Sequence, residues 1–164
     1  MRIAILTVSD SVVKGTREDV SGQTIADWCA GRGDSVAARE TLVDETSQIV
    51  PLLASWCDSG DVDLILTTGG TGLSPRDITP EATRAVIERD SSGIAEYIRA
   101  RSFDRFPRAA LSRAVAGVRG ATLIVNLPGS PGGVSDALQA LDPIVNHAID
   151  VVRGDTAHPE HASQ

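Results

Sequence analysis

Three short apolar runs constrain this chain more than any other feature of its sequence. They cover residues 2–8, 62–68 and 121–127, and none of them alternates regularly between apolar and polar side chains. Strands of this kind are typical of a parallel sheet that is covered on both faces. Neighbouring parallel strands need long crossover connections, which helices usually supply. The runs therefore predict an α/β protein with a mainly parallel sheet.

Helical spacing of apolar residues between these runs supports this fold class. It predicts five helices, at residues 23–31, 49–57, 79–89, 92–98 and 134–152. Ser21, Asp44 and Thr79 are the residue types that cap helices, and they precede the first three. Pro143 should kink the last helix or begin a new one. Weak alternation predicts an edge strand at 35–43, and a further strand is expected at 114–118.

Length and composition indicate a single domain. The chain has 164 residues, of which 41% are apolar, and its formal net charge is −7. We expect a three-layer α/β/α sandwich over residues 1–154 and a polar tail over 155–164. An acidic chain is a poor non-specific binder of nucleic acid, because neutralising phosphates needs a basic face, and adhesion to an anionic membrane is disfavoured for the same reason. The two cysteines, Cys29 and Cys57, have no zinc-site spacing, and we expect a reduced, cytoplasmic protein.

Polar loops follow three of the predicted strands, at residues 9–22, 69–79 and 128–133. Ligands of parallel α/β sheets bind at the carboxyl ends of strands, so we expect these loops to converge on a site. The sequence TTGGTG ends the central strand, and its glycines allow backbone N–H groups to approach an anion. A phosphate-bearing ligand and a plain tight turn are equally compatible with the glycines alone. The loop is neither a Walker A sequence nor a dinucleotide-binding fingerprint.

Two aspartates near these loops are candidate functional residues. Asp77 is either a local loop cap or a Mg²⁺ ligand beside bound phosphates. Asp44 taken alone favours a helix cap. Arg76 and Arg113 are candidate anion clamps. Because the sequence offers no well-placed nucleophile–histidine pair, chemistry on phosphates is favoured over acyl chemistry.

A set of motifs in fixed order resembles the MogA/MoaB family of molybdenum cofactor biosynthesis. The motifs are ILTVSDSV, DVSG, LVDE, TTGGTGLSPRDITPEAT, AALSRAVAGVRG and NLPGSPGG. The resemblance covers nearly the whole chain and implies a molybdopterin-binding α/β fold assembled as trimers or hexamers. Active members of the family are molybdopterin adenylyltransferases. With Mg²⁺ they transfer AMP from ATP to the terminal phosphate of molybdopterin and release pyrophosphate.

The resemblance also implies roles for particular residues. Asp44 and Asp77 match the family's essential carboxylates, as catalytic residues and metal ligands. A proline that often precedes the first of them is Val43 here, and we expect little effect. Residues implied in substrate binding are Ser9, Asp10, Thr68, Gly69, Gly70, Thr71, Gly72, Ser74, Asn126, Pro128, Gly129, Ser130 and Pro131.

Two functions remain open at this point. One is an adenylyltransferase that uses ATP, and the other is a MoaB-like protein that binds molybdopterin without turnover. The presence of both aspartates favours the enzyme. The related competence-damage type of domain is disfavoured by Thr71 and by the RDITP segment, and the short chain disfavours the longer molybdenum-insertion proteins.

Overall fold

A computed structural model describes residues 1–103 and 106–155 of the chain. Its centre is a six-stranded sheet. The strands are β1 (Arg2–Val8), β2 (Ser35–Leu42), β3 (Leu64–Thr68), β4 (Arg89–Asp90), β5 (Ala116–Arg119) and β6 (Thr122–Leu127), in the order β2-β1-β3-β6-β5-β4. The first four strands in that order are parallel, whereas β5 runs antiparallel to both β6 and β4. The predicted mainly parallel sheet is confirmed, with β2 as an edge strand.

Helices cover both faces of the sheet. They are α1 (Asp10–Val13), α2 (Val20–Arg32), α3 (Thr46–Asp58), α4 (Thr79–Arg84), α5 (Ser92–Phe103), α6 (Pro131–Arg153) and a 3-10 turn at Pro107–Leu111. The apolar residues of α2, α5 and α6 pack in one core, and those of α3 and α4 pack in another. The predicted three-layer α/β/α arrangement follows from these two cores.

Strand β1 shows why its run has no alternation. Ile3 and Ile5 point into the core beneath α2 and α6, whereas Ala4 and Leu6 point into the core beneath α3. All four side chains are fully buried. An apolar residue is therefore favourable at every position, which removes the period of two that marks a half-exposed strand.

The predicted helix caps are wrong at all three positions. Helix α2 begins before Ser21, and its cap is Asp19, whose carboxylate accepts a hydrogen bond from the Gly22 N–H at 2.9 Å. Helix α3 begins after Glu45, so Asp44 lies one residue too early to cap it. Thr79 is the first residue inside α4 rather than its cap. Residues of the capping type are present near each helix start. Which of them caps depends on the path of the backbone, and the sequence pattern does not show that path.

Other boundaries also differ from expectation. Helix α4 ends at Arg84 instead of near residue 89, and the short helix α1 lies within the segment expected to be a loop. Helix α6 continues through Pro143 to Arg153 without a new start. Pro143 lies on the exposed side, where water can bond the carbonyl that loses its partner. Of the predicted tail, only Asp155 belongs to the described residues. No helix in the described part of the chain has the length and apolarity to cross a membrane.

An ion cluster around the buried Asp63 joins the two ends of the described chain. Asp63 is 4% exposed and accepts hydrogen bonds from the Arg2 backbone N–H at 2.7 Å and from its guanidinium at 2.8 Å. The Arg153 guanidinium lies 2.8 Å from the same carboxylate. Burial alone would raise the pKa of Asp63, but these bonds outweigh it and hold the pKa well below its usual range. The cluster joins β1, the segment before β3 and the end of α6.

We expect Asp63→Asn to destabilise the protein at pH 7 by about 1–3 kcal/mol, because both arginines are half exposed and partly screened. A carboxylate with a lowered pKa stabilises the fold above the pKa of the unfolded chain, and this stabilisation is lost as the pH falls. The difference between the variant and the parent should therefore shrink below pH 3.8. Urea unfolding at pH 7 and at pH 3 measures it, and an equal difference at both would contradict the role of the charge.

Candidate functional site

The three polar loops meet at the carboxyl ends of β1, β3 and β6, as predicted. They enclose a cavity of about 430 Å³ whose lining includes Asp10, Asp44, Asp77, Gly70 and Ser130. A second cavity of about 790 Å³ lies beside it and reaches the 3-10 turn. The two cavities share a rim formed by Gly70, Asp77, Gly129 and Ser130. Two ligands could therefore lie next to each other across this rim.

Backbone contact between the loops explains two of the glycines. Gly69 has φ of +94°, and a Cβ there would lie 2.2 Å from the Val8 carbonyl oxygen. A Cβ on Gly129 would lie 3.2 Å from the Gly69 Cα. No side chain fits between the ends of β1, β3 and β6, because the backbones themselves are in contact. Close packing of the loops therefore requires glycine here, whatever the loops bind.

Two side-chain oxygen atoms occupy the space beside Gly70 that a side chain would need. Its φ is +62°, and a Cβ there would lie 2.3 Å from the Thr79 hydroxyl and 2.7 Å from Asp44 Oδ1. The Thr79 N–H donates to the Gly70 carbonyl oxygen at 3.0 Å. The turn at Gly70 thus places the start of α4 beside the Asp44 carboxylate.

Side chains fasten the loops to one another. The Thr68 hydroxyl donates to the Pro128 carbonyl oxygen at 2.6 Å, and the Ser21 hydroxyl donates to the Gly129 carbonyl oxygen at 2.9 Å. These bonds tie the end of β3 and the start of α2 to the loop after β6. Ser21 was predicted as a helix cap. Its partner lies 108 residues away in the sequence, so no pattern of neighbouring residues could predict this bond.

Asp44 lies in an unfavourable electrostatic environment. Burial raises its pKa, and the nearby carboxylates of Asp10 and Asp77 raise it further, while Arg76 acts in the opposite direction. The Asp10 carboxylate accepts a long hydrogen bond from the Asp44 N–H at 3.4 Å and pairs with Arg76 at 2.5 Å. The carboxylates of Asp10, Asp44 and Asp77 therefore lie close enough to interact around the first cavity, whose lining also includes Arg17, Glu18 and Asp19.

Asp77 is held by its own loop. Its carboxylate accepts a hydrogen bond from the Ser74 N–H at 2.9 Å, and its backbone carbonyl accepts one from the Arg113 guanidinium. Arg113 also donates to the Gly72 carbonyl oxygen at 2.7 Å and pairs with Glu81. Arg113 thus positions the loop, and its guanidinium is already engaged rather than free to clamp an anion.

The oxygen donors at this point fit Mg²⁺. Asp44 and Asp77 both line the first cavity, and the buried Thr79 hydroxyl beside Asp44 has no hydrogen-bond partner among the described residues. Over residues 1–103 and 106–155, no group of three or more His, Cys, Asp or Glu side chains is arranged to hold a metal. Two carboxylates are nevertheless a usual protein contribution to Mg²⁺, which takes its other ligands from water and phosphate.

The remaining predicted site residues divide into two groups. Ser9 and Ser130 lie in the first cavity, where they also cap α1 and α6, and Thr71 and Gly72 border the second cavity. Neither cavity has Ser74 or Pro131 among its lining residues. Ser74 acts on the site through its backbone bond to Asp77.

Asn126 borders the second cavity but is only 1% exposed. Its amide donates to the hydroxyls of Thr67 and Thr83, both at 2.9 Å, and accepts from the Val115 N–H at 3.2 Å. The amide therefore links β6 to β3, α4 and the segment before β5. Both of its donor hydrogens are used within the fold, so the geometry favours a structural role over substrate contact.

Comparison with known proteins assigns this α/β architecture to a class. A model of the probable molybdopterin binding domain matches residues 4–147. Molybdopterin adenylyltransferase of Helicobacter pylori (strain J99) is 38% identical over 156 residues, which cover 94% of this chain and 89% of that protein. The chain belongs to the molybdopterin-binding domain family of molybdenum cofactor biosynthesis, which confirms the resemblance.

Solved structures agree with this assignment. MoaB from Thermus thermophilus is 50% identical with a TM-score of 0.88, covering 93% of this chain and 96% of that one. The Mog protein from Mycobacterium ulcerans is 41% identical with a TM-score of 0.86, covering 93% of this chain and 97% of that one. The predicted fold class is confirmed by these neighbours.

Gly70→Ala should destabilise the protein more than Gly33→Ala, a matched control. Both glycines have positive φ, at +62° and +73°, but a Cβ at Gly33 meets nothing within 4 Å. We expect Gly33→Ala to lose about 1 kcal/mol from backbone strain alone. Gly70→Ala should lose more and also bind molybdopterin more weakly, because its methyl group displaces Thr79 or Asp44. Urea unfolding and molybdopterin titration measure both, and equal behaviour of the two variants would refute the crowding at Gly70.

Proposed function

We propose that this protein is a molybdopterin adenylyltransferase. In the proposed reaction, an oxygen of the terminal phosphate of molybdopterin attacks the α-phosphorus of ATP. The new P–O bond gives adenylyl-molybdopterin, and the bond to the β-phosphate oxygen breaks to release pyrophosphate. The observation that carries the proposal is the pair of cavities with a common rim at Gly70, Asp77, Gly129 and Ser130. Two phosphate-bearing substrates need such adjacent sites, and relatives named molybdopterin adenylyltransferase support this reading.

The proposed roles follow from where the residues lie. Asp44 and Asp77 would hold Mg²⁺, which when bound supplies positive charge to the phosphates. Gly70 and Gly129 place no side chain at their two positions of the rim, so the substrate phosphates can approach the backbone there. The N-terminus of the long helix α6 presents Gly132 and Gly133 to the second cavity, and such a helix end favours anions.

The proposed reaction needs little from side-chain acids and bases. The attacking phosphate oxygen is already an anion, so no base has to remove a proton from it. The described lining residues of both cavities include neither histidine nor cysteine. Positioning and charge stabilisation therefore account for the proposed chemistry, and the chain's contribution is to hold two polyanions close together.

AMP transfer from labelled ATP to molybdopterin, measured with and without Mg²⁺, tests the proposal. The parent protein should form adenylyl-molybdopterin only with Mg²⁺. Asp77→Asn should lower the rate by about a hundredfold or more, because losing a metal ligand removes several kcal/mol of charge stabilisation. Asp27→Asn is the matched control, since Asp27 is exposed on α2, away from both cavities, and accepts a hydrogen bond from the Gln23 amide. Its rate should equal that of the parent.

Two results would count against the enzyme. If the parent protein binds molybdopterin but forms no adenylyl product, the MoaB-like binding function is the correct one. If Asp77→Asn turns over at the parent rate with the same Mg²⁺ dependence, Asp77 has no part in the reaction.

A homotrimer is the assembly that we propose for this chain. Large apolar side chains remain on the surface of one copy, with Leu73 at 64%, Leu111 at 53% and Phe106 at 52% exposure. Apolar groups at this level of exposure are favourable in contacts between subunits. Light scattering at micromolar concentration should give three times the mass of one chain, and a monomer at that concentration would contradict the proposal.

A further inference from the structure

Thr79 carries a buried hydroxyl that the fold does not use. The residue is fully buried at the start of α4, and its backbone N–H donates to the Gly70 carbonyl oxygen at 3.0 Å. Its hydroxyl has no hydrogen-bond partner in the described part of the chain. An unpaired buried hydroxyl destabilises a protein, whereas a valine of the same shape would not. The hydroxyl therefore calls for a reason other than folding.

Other buried threonines of the sheet and its helices do have partners. The hydroxyls of Thr67 and Thr83 each accept a hydrogen bond from the Asn126 amide. Thr122 donates to the Val62 carbonyl oxygen at 2.7 Å, and Thr68 donates to the Pro128 carbonyl oxygen. Thr79 differs from these four because its hydroxyl is unpaired, although it lies beside the Asp44 carboxylate.

Asp44 offers a candidate acceptor beside the Thr79 hydroxyl. The Thr79 hydroxyl and Asp44 Oδ1 lie 2.3 Å and 2.7 Å from one point, the position that a Gly70 Cβ would take. Glycine has no atom there, so nothing on residue 70 separates the two oxygens. A hydroxyl can donate and an ionised carboxylate can only accept, so the pair has the correct polarity for a hydrogen bond. The two distances put these oxygens no more than about 5 Å apart, and a change of side-chain rotamer that brings them within hydrogen-bonding distance would form the bond.

Asp44 needs such a donor when the site is loaded. The carboxylates of Asp10 and Asp77 both repel it. That repulsion favours orientations that turn Asp44 away from Asp77, whereas a shared cation requires both to face the same point. A neutral hydroxyl can fix one carboxylate oxygen without adding a positive charge that would compete with the cation.

We propose that the Thr79 hydroxyl is a positioning group that donates a hydrogen bond to the Asp44 carboxylate and orients it toward the ligand. The inference rests on the proposed function, because it assigns Thr79 to the same Mg²⁺-dependent site. Thr79 acts through Asp44 and touches neither substrate.

Calorimetric titration of ATP in the presence of Mg²⁺ tests this role without requiring turnover. Thr79→Val keeps the shape and removes the hydroxyl, and we expect about a ten- to hundredfold loss of affinity. Thr79→Ser keeps the hydroxyl and should bind like the parent. Thr79→Val should also unfold at the same temperature as the parent or higher. The matched control is Thr122→Val, which removes a bonded hydroxyl at the opposite end of β6 and should lose stability but not affinity.

A double-mutant cycle with Asp44→Asn identifies the group through which Thr79 acts. If Thr79 works through the Asp44 carboxylate, adding Thr79→Val to Asp44→Asn should cause little further loss of affinity. An equal loss in both backgrounds would refute the proposed link. Parent-like affinity of Thr79→Val, or equal losses in the Val and Ser variants, would also overturn the inference while leaving adenylyl transfer intact. Failure of the parent protein to bind ATP with Mg²⁺ would refute the proposed function and this inference with it.

Discussion

Direct backbone contact between loops is the constraint on which the rest of this site depends. Gly69 touches the Val8 carbonyl on one side and lies against Gly129 on the other. The backbones at the ends of β1, β3 and β6 therefore leave no room for a side chain between them. Any side chain between them would push the loops apart. Close approach of the strands thus brings the loops that carry Gly70, Asp77, Gly129 and Ser130 together at the rim between the cavities.

The parallel strands could be predicted because burial on both faces leaves a visible pattern, as in Ile3 to Leu6. The helix caps could not, because a cap depends on where the chain turns. Asp19 caps α2 through Gly22, while Ser21, also a capping residue type, reaches the distant Gly129. The strand order could not be predicted either, because the sequence does not show on which side of β1 each later strand is added to the sheet.

The candidate site was predictable in place but not in detail. Loops at the carboxyl ends of parallel strands gave its location, and the family resemblance singled out Asp44 and Asp77. Asn126 and Arg113 show the limit of reasoning from residue type. Both could bind a ligand, yet one bonds Thr67 and Thr83 and the other holds the loop that carries Asp77. Those partners come from other elements of the fold, so only the three-dimensional structure identifies them.

Two aspartates of this chain, the buried Asp63 and the half-buried Asp44, have opposite electrostatic surroundings. Asp63 is held by Arg2 and Arg153, which keep its pKa low, so its charge stabilises the fold. Asp44 faces Asp10 and Asp77, and with burial they raise its pKa. A raised pKa means that the folded state binds the proton more readily than the unfolded chain, so the ionised Asp44 opposes folding at neutral pH. This unfavourable term disappears as the pH falls below the pKa of the unfolded chain. A carboxylate that weakens the fold in this way is explained when a cation bound at the site offsets the repulsion, which is the situation that the proposed function requires.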